Sequence, residues 1–301
     1  MNIKRPMKAP SEPITDEELK SIKYPIVGSP KLDGFRCIVD QTPLTSSMKP
    51  FTNRHVAEVL SNPIYDGLDG EIVVGLPYKA NDNDDVFHRT SGPVRRFDGT
   101  PDFTFYVFDY WREGMTSYQK RWIESQPFQA GKIVVLEQRI LKSSDEVIAF
   151  EQEMVNLGYE GAMIRSLDGR YKEGRCTLKE MNIFKRKPYA ECEAEIIDIE
   201  EQMANMNEVT IDAMGLTKRS SHQANMIPKG TTGMFVLQSP AFSLSFKAAP
   251  GRGFDAKKRQ EIWDNRHEYI GKIATVKYQR YGSIDRPRQP NVIKIRPTWD
   301  L

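Results

Sequence analysis

Apolar residues along this chain gather in short runs, rich in β-branched and aromatic side chains and broken by Asp-Gly pairs, prolines and charged loops. Runs of that kind predict strands. Residues 24–28 (YPIVG) and 37–39 (CIV) flank Lys31-Leu32-Asp33-Gly34, and the Asp-Gly pair predicts a hairpin turn between them. A second Asp-Gly pair opens residues 68–74 (LDGEIVV), and residues 103–111 (FTFYVFDYW) are strongly β-prone. Residues 159–165 (YEGAMIR) and 183–188 (IFKRKP) predict two more strands, the second closed by Pro188. Helical patterns are fewer. They fall at residues 16–23 (DEELKSIK), with Asp16 as cap, at 56–60 (VAEVL), and at 144–157 (SDEVIAFEQEMVNL), capped by Ser143 or Ser144 and ended by Gly158. Residues 79–92 and the basic stretch 169–179 read as loops, and the proline-bearing N-terminus as an extended arm.

After Pro188 the texture changes. Five strand candidates follow, at 194–200, 233–238, 242–248, 272–278 and 291–296, with a helix candidate at 255–266 between the third and fourth. Five strands with one helix after the third are compatible with an OB-type barrel. The segment 202–232 between the first two strands is polar and long, which predicts a mobile, functional loop. The predicted domains are 1–188 and 189–301.

Composition narrows the class without naming an activity. The chain has 301 residues, 39% of them hydrophobic and 28% charged, which suits a soluble α+β protein with substantial cores. Forty-three basic residues against 41 acidic ones leave a net charge of +2, so a basic groove for a polyanion must be local. The three cysteines, Cys37, Cys176 and Cys192, have neither metal spacing nor a paired framework, which points to a reducing, intracellular setting. No run has the length of a membrane span, and no secretory signal precedes residue 30.

Four charged signals stand at predicted strands or strand ends: Lys31 with Arg36, Glu71 after Asp69-Gly70, Glu160 before Gly161, and Lys185 with Lys187. A lysine in an Asp-Gly turn is by itself satisfied as a surface hairpin. Lys185 and Lys187, two apart on a strand, share a face and in a cleft would clamp phosphate. A lysine nucleophile must lose a proton, and neighbouring cations favour that loss. Glu71 and Glu160 are hard oxygen donors for Mg²⁺ or a ribose hydroxyl. Arg165, Arg170, Lys172 and Arg175 form a basic loop whose charge suits contact with phosphate.

The ordered series KLDGFR, DGE, FYVFDYW, EGAMIR and FKRK resembles the signature motifs of covalent nucleotidyltransferases. The block EGAMIRSLDGRYKEGRCTLKE and the C-terminal KRSSH, GRGFDAKKRQEIWDN, YIGKIATVKYQRYG and RPRQPNVIKIR are similar to small ATP-dependent DNA ligases of phages and algal viruses. The resemblance covers essentially the whole chain. It implies a nucleotidyltransferase domain of ATP-grasp-like antiparallel sheets with helices, followed by an OB-fold barrel that carries a DNA-clamping loop near 202–232. It implies ATP and Mg²⁺ as cofactors, with Mn²⁺ tolerated, nicked duplex DNA as partner, and a monomer. By the same resemblance Lys31 would carry AMP, Arg36 would contact ribose or phosphates, Glu71 the ribose 2′-hydroxyl, and Phe108 would stack on adenine. Glu71 and Glu160 would hold the metal, and Lys185 and Lys187 the phosphates. DNA would meet Arg54, Arg165, Arg175, Lys218 and Arg219, while Arg286, Arg288 and Arg296 would orient pyrophosphate.

One departure stands out. The resemblance implies a Ser-Arg pair after the lysine motif, and Ser47 stands where arginine is expected, leaving Lys49 or Arg54 to supply the cation. Competing readings are an RNA ligase or GTP-dependent mRNA capping enzyme, and a non-catalytic OB-fold nucleic-acid-binding protein. The short stretch before Lys31 disfavours an NAD-dependent ligase.

Overall fold

The computed structural model describes residues 4–296 except 82, 113 and 115. It divides into two compact units that meet in sequence at Lys187 and Pro188.

The first unit opens with strand β1 (Met7–Lys8) and helix α1 (Asp16–Leu19). Thr15, not Asp16, caps α1, because its hydroxyl accepts from the Glu18 amide while the Glu18 carboxylate accepts from the Thr15 amide. There follow β2 (Ile26–Lys31), β3 (Phe35–Asp40), β4 (Thr42–Thr45), α2 (Arg54–Leu60), β5 (Leu68–Val74), α3 (Val86–Arg95), β6 (Phe103–Tyr110) and α4 (Tyr118–Ser125). The unit ends with β7 (Ile133–Val135), β8 (Arg139–Leu141), α5 (Ser144–Asn156), β9 (Gly161–Ser166), β10 (Gly174–Arg175) and β11 (Ile183–Arg186).

These strands build two principal sheets, in the orders β4-β3-β5-β6-β7 and β11-β9-β2-β8. Strand periodicity divides each sheet into an apolar face and a charged one. In the larger sheet Cys37, Ile72, Phe105 and Val107 pack against Val56, Leu60 and Val94 of the helices. In the smaller sheet Ile26, Ala162, Ile164 and Phe184 pack against Val147, Phe150 and Met154 of α5. Arg36, Glu71 and Phe108 alternate onto the opposite face of one sheet, and Ser29, Lys31, Met163, Arg165 and Lys185 onto that of the other.

The expected hairpin at Asp33-Gly34 does not form. β2 pairs with β8 and β9, whereas β3 pairs with β4 and β5, so residues 32–34 carry the chain from one sheet to the other. Gly34 serves close approach rather than a turn: a Cβ there would lie 2.4 Å from the Ile72 carbonyl oxygen. Residues 79–92 also depart from the expected loop. Their second half enters α3, which Asp85 caps through the His88 amide at 2.8 Å. Two of the four buried residues of α3 are Thr90 and Ser91, so hydrophobic patterning misses it.

The second unit comprises β12 (Tyr189–Asn205), β13 (Val209–Ile211), β14 (Thr217–Arg219), β15 (Met226–Gln238), β16 (Phe246–Pro250), α6 (Ala256–Asp264), β17 (Ile273–Gln279) and β18 (Arg288–Ile295). Five of these strands close a barrel in the order β12-β15-β16-β18-β17. Ile196, Phe235, Leu237, Ala248, Ala274, Val276 and Val292 fill it, with Ile262 of α6. The segment 202–232 is largely β-structure. β12 and β15 run on together as far as the Asn205–Met226 pair, and β13 and β14 form an outer hairpin. Asn207 ties the hairpin base, its amide nitrogen donating to the Ser220 carbonyl at 2.9 Å and the His222 carbonyl at 2.8 Å.

Candidate active site

A cleft of about 300 Å³ lies between the charged faces of the two sheets of the first unit. Lys31, at the end of β2, sits opposite Gly161 in the register with β9. That register brings Glu160 beside it, and the Lys31 ammonium is hydrogen-bonded to Glu160 Oε2. Lys187 Nζ holds the other oxygen, Oε1, at 3.2 Å. Glu160 is only 4% exposed, so the carboxylate and its two lysines form a compact charged triad. Burial disfavours the charge on Lys31, yet the attraction of Glu160, its hydrogen bond and the nearby Glu71 together raise its pKa. This reverses the expectation that neighbouring cations lower it. The nearest charge is a carboxylate, and proximity decides the sign.

Lys185 experiences the opposite balance. Burial comes first, then Lys187, Lys31 and Arg175, and its pKa falls to about 8. Across the cleft Glu71 lies opposite Arg36 in the β3–β5 register. Burial pushes its carboxyl up to about 7 against the pull of Arg36 and Lys31, with Asp33 and Glu160 adding to the rise. Arg36 is a fixed group. Its Nε and Nη2 donate to Asp69 at 2.6 and 2.7 Å, and Tyr171 donates to the same carboxylate at 2.9 Å. Burial opposes its charge, but Asp69 outweighs this and raises its pKa.

Phe108 lines the cleft, its ring centroid 4.7 Å from the Arg36 guanidinium carbon and 5.0 Å from that of Arg165. The next residue, Asp109, turns away. It is buried and accepts from Arg121 Nε at 2.7 Å, while Arg121 also donates to the Gly169 carbonyl at 3.0 Å. That pair is structural support behind Phe108.

The cleft thus gathers Lys31, Arg36, Glu71, Phe108 and Lys185 in its lining, with Glu160 and Lys187 directly behind Lys31. Arg175 lines it too, and donates to the Ala9 carbonyl at 2.8 Å. Arg165 does not stand on a basic surface loop as expected. It belongs to β9, is 3% exposed and bonds Ser29 Oγ at 3.3 Å, so it forms part of the pocket wall. Arg54 stays outside, ion-paired with Asp98. A second pocket of about 500 Å³ shares Arg36, Ser46 and Glu71 with the cleft and adds Ser47, Lys49 and Arg95. Of the two cations considered as substitutes for the missing arginine, Lys49 lines that pocket and Arg54 does not. In the second unit Lys218 and Arg219 stand exposed on β14, and Arg296 pairs with Glu193 at 3.1 Å.

Sequence reasoning missed Lys8, Asp69 as the anchor of Arg36, and Tyr171. The hydrogen bonds that tie Lys8, Asp69 and Tyr171 together around the cleft join residues far apart in the chain, and only Asp69, inside its Asp-Gly-Glu motif, carried a local signal.

Among the described residues no three His, Cys, Asp or Glu side chains converge as a metal cage. Both Glu160 oxygens are already engaged by lysines. The donor set therefore suits Mg²⁺ only as an ion completed by phosphate oxygens, the usual manner of Mg²⁺ at nucleotides. No helix in the described residues is long and apolar enough to cross a membrane.

A family model described as ATP dependent DNA ligase domain matches residues 6–187. Two solved structures of Chlorella virus DNA ligase-adenylate are 25% and 27% identical to this chain, with TM-scores of 0.54 and 0.53. Each alignment covers 98% of this chain, with 100% and 99% of the viral chains. A structure of the Lig E DNA ligases shares the fold at 20% identity and a TM-score of 0.64, covering 90% of this chain and 92% of that one. A search of curated proteins found no significant match. The family match covers more than half of the chain and contains the whole cleft, and the chain belongs to the ATP-dependent DNA ligase family.

Proposed function

We propose that the protein seals 5′-phosphate/3′-hydroxyl nicks in duplex DNA through a lysyl-AMP intermediate on Lys31. The observation that carries this reading is the triad of Lys31, Glu160 and Lys187 at the wall of a nucleotide-sized cleft. Lys31 rests as an ammonium and must lose a proton before attack, and Glu160 Oε2 is the base that touches it. Lys31 Nζ then attacks the α-phosphorus of ATP, an N–P bond forms, and pyrophosphate leaves. A 5′-phosphate oxygen of DNA next attacks that phosphorus and releases Lys31. The 3′-hydroxyl finally attacks the DNA phosphorus of the adenylylated end, and AMP departs.

The surrounding side chains position these groups. Adenine stacks on Phe108, Glu71 accepts from a ribose hydroxyl, and Arg36, clamped by Asp69, contacts the ribose or phosphates. Lys185 and Lys187 neutralise the phosphates during in-line displacement. Glu71 and Glu160 would hold Mg²⁺ jointly with phosphate oxygens, and the ion when bound supplies further charge neutralisation. Residues 1–188 act as the adenylyltransferase domain. The closed barrel, with α6 between its third and fourth strands, supports an OB-fold assignment for 189–301. Arg54 and Arg175 of the first unit, and Lys218 and Arg219 of the β13–β14 hairpin, meet DNA phosphates.

The test is to incubate the protein with Mg²⁺ and α-labelled ATP or GTP, denature it, and follow the label. The expected outcome is label from ATP alone, lost in Lys31→Ala and chased onto nicked DNA. Label from GTP would move the assignment to capping chemistry. No label from folded protein freed of bound AMP would favour a non-catalytic nucleic-acid-binding protein.

A further inference from the structure

The N-terminal arm forms part of the cleft wall. β1 adds in parallel to β10, with Met7 opposite Gly174 and Lys8 opposite Arg175. The Cys176 amide donates to the Lys8 carbonyl at 2.8 Å, and the Met7 amide donates to Tyr171 Oη at 3.2 Å. Arg36 Nη2 donates to the Met7 carbonyl at 3.3 Å. The arm is thereby bonded to the same Arg36–Asp69–Tyr171 network that borders the nucleotide pocket. Met7 is 2% exposed and packs with Cys176 and Ile183, and strand alternation sends Lys8 the other way, into the lining of the cleft.

Six cations and one carboxylate, Glu71, line this cleft. Most of the cations are committed: Lys31 to Glu160, Arg36 to Asp69, Arg165 to Ser29 and Arg175 to Ala9. Lys8 and Lys185 have no bonded carboxylate among the described residues. Lys8 lies opposite Arg175 in the β1–β10 register, and both line the same cleft as Lys185. Burial and the neighbouring cations, Arg175 among them, lower the pKa of Lys8 and of Lys185. Such a cluster is electrostatically costly unless an anion completes it.

We propose that Lys8, presented by the arm and grouped with Arg175 and Lys185, binds a phosphoryl group in this cleft. The assignment rests on the ligase reading, which supplies two sources for that group: the β- and γ-phosphates of ATP, or the 5′-phosphate of the DNA end. The arm's backbone makes its own bonds, so changing the Lys8 side chain leaves the strand anchored.

Lys8→Met, which keeps the apolar stem, and Lys8→Arg, which keeps the charge, are compared with wild type at matched thermal midpoints. If ATP is the source, Lys8→Met loses about 10-fold in ATP affinity with AMP affinity unchanged, and about 10-fold in kcat/KM of adduct formation, carried by KM. If DNA is the source, adduct formation is normal and AMP transfer to the 5′-phosphate slows by about 10-fold. Either result supports the site, and Lys8→Arg should recover most of the loss. A Lys8→Met protein within about twofold of wild type in ATP binding and in every step overturns the assignment. Absence of adduct in wild type would instead overturn the ligase reading, and ATP binding by Lys8→Met would still judge Lys8.

Discussion

In the first unit, several charges in and behind the cleft are held by other charges. Arg36 is gripped at two points by Asp69, Glu160 is shared between Lys31 and Lys187, and Arg121 is buried against Asp109. In the second unit, Lys218 and Arg219 stand on a two-stranded hairpin whose β13 and β14 residues are all exposed. The Arg219 side chain donates to the Asn207 carbonyl at the hairpin base. Buried paired charges hold each other in fixed geometry, and removing one partner leaves the other uncompensated, at a cost of about 3–5 kcal/mol. Exposed cations have no such penalty and give attraction without fixed geometry. The first arrangement suits bond-making at one phosphorus atom. The second suits holding a repeating polyanion. Substitutions in the two units should therefore differ in size and in kind.

The largest effect tests whether the first unit is chemical at all. Lys31→Ala should abolish the enzyme–AMP adduct, because it removes the Nζ that bonds Glu160 Oε2 and would carry AMP. An adduct that persists in that variant would refute Lys31 as the nucleophile. Lys187→Ala should follow, lowering adduct formation by about 100-fold, the scale of losing one charged donor at a reacting phosphate. It also removes the Lys187 contact to Glu160 Oε1. Nick binding should change far less, and equal losses in both assays would erase the distinction between the units.

The pH dependence sharpens the same contrast. Glu71 is protonated below about 7 and becomes the stronger, charged acceptor above it. Lys185 is charged below about 8 and loses its phosphate attraction above it. With ATP, kcat/KM for adduct formation should therefore rise towards pH 7 and fall above pH 8. Glu71→Gln should flatten the acid limb, and Lys185→Arg the alkaline one. Limbs that stay in place in these variants would assign the titrations to other groups. DNA affinity through Lys218 should show neither limb.

The residues gathered at the cleft of the first unit were legible because their motifs are local. Lys31, Glu71 and Glu160 each stand near an Asp-Gly pair or a glycine, and Lys185 and Lys187 in or just after a short strand, where type and spacing already narrow the choice. Their electrostatics were not legible. The rise of the Lys31 pKa depends on Glu160, 129 residues away, brought alongside by the β2–β9 register. Lys8 reaches the cleft through a two-residue strand, too short to leave a periodic signal. The Asp-Gly pair at 33–34 misled because its glycine answers a tertiary contact with Ile72, and no pattern within the segment distinguishes that from a turn. The barrel strands followed their hydrophobic alternation, whereas Asn207, which ties the hairpin, looks from sequence like any loop asparagine.

The smallest effect belongs to the second unit and is the more discriminating for it. Lys218 pairs through its backbone with Thr210 across the hairpin, and it stands exposed on β14. Lys218→Ala should leave adduct formation and thermal stability unchanged. It should weaken nick binding only about threefold at moderate salt and reduce the slope of log affinity against log salt by about one, the signature of one lost phosphate contact. Arg219→Ala makes a poorer test, since Arg219 also bonds Asn207 and its loss can loosen the hairpin. A Lys218→Ala variant with an unchanged salt slope would remove the hairpin from the DNA-binding surface. The polyanion-holding role would then fall to other exposed cations of the barrel, and the contrast between fixed and free charge would lose its second half.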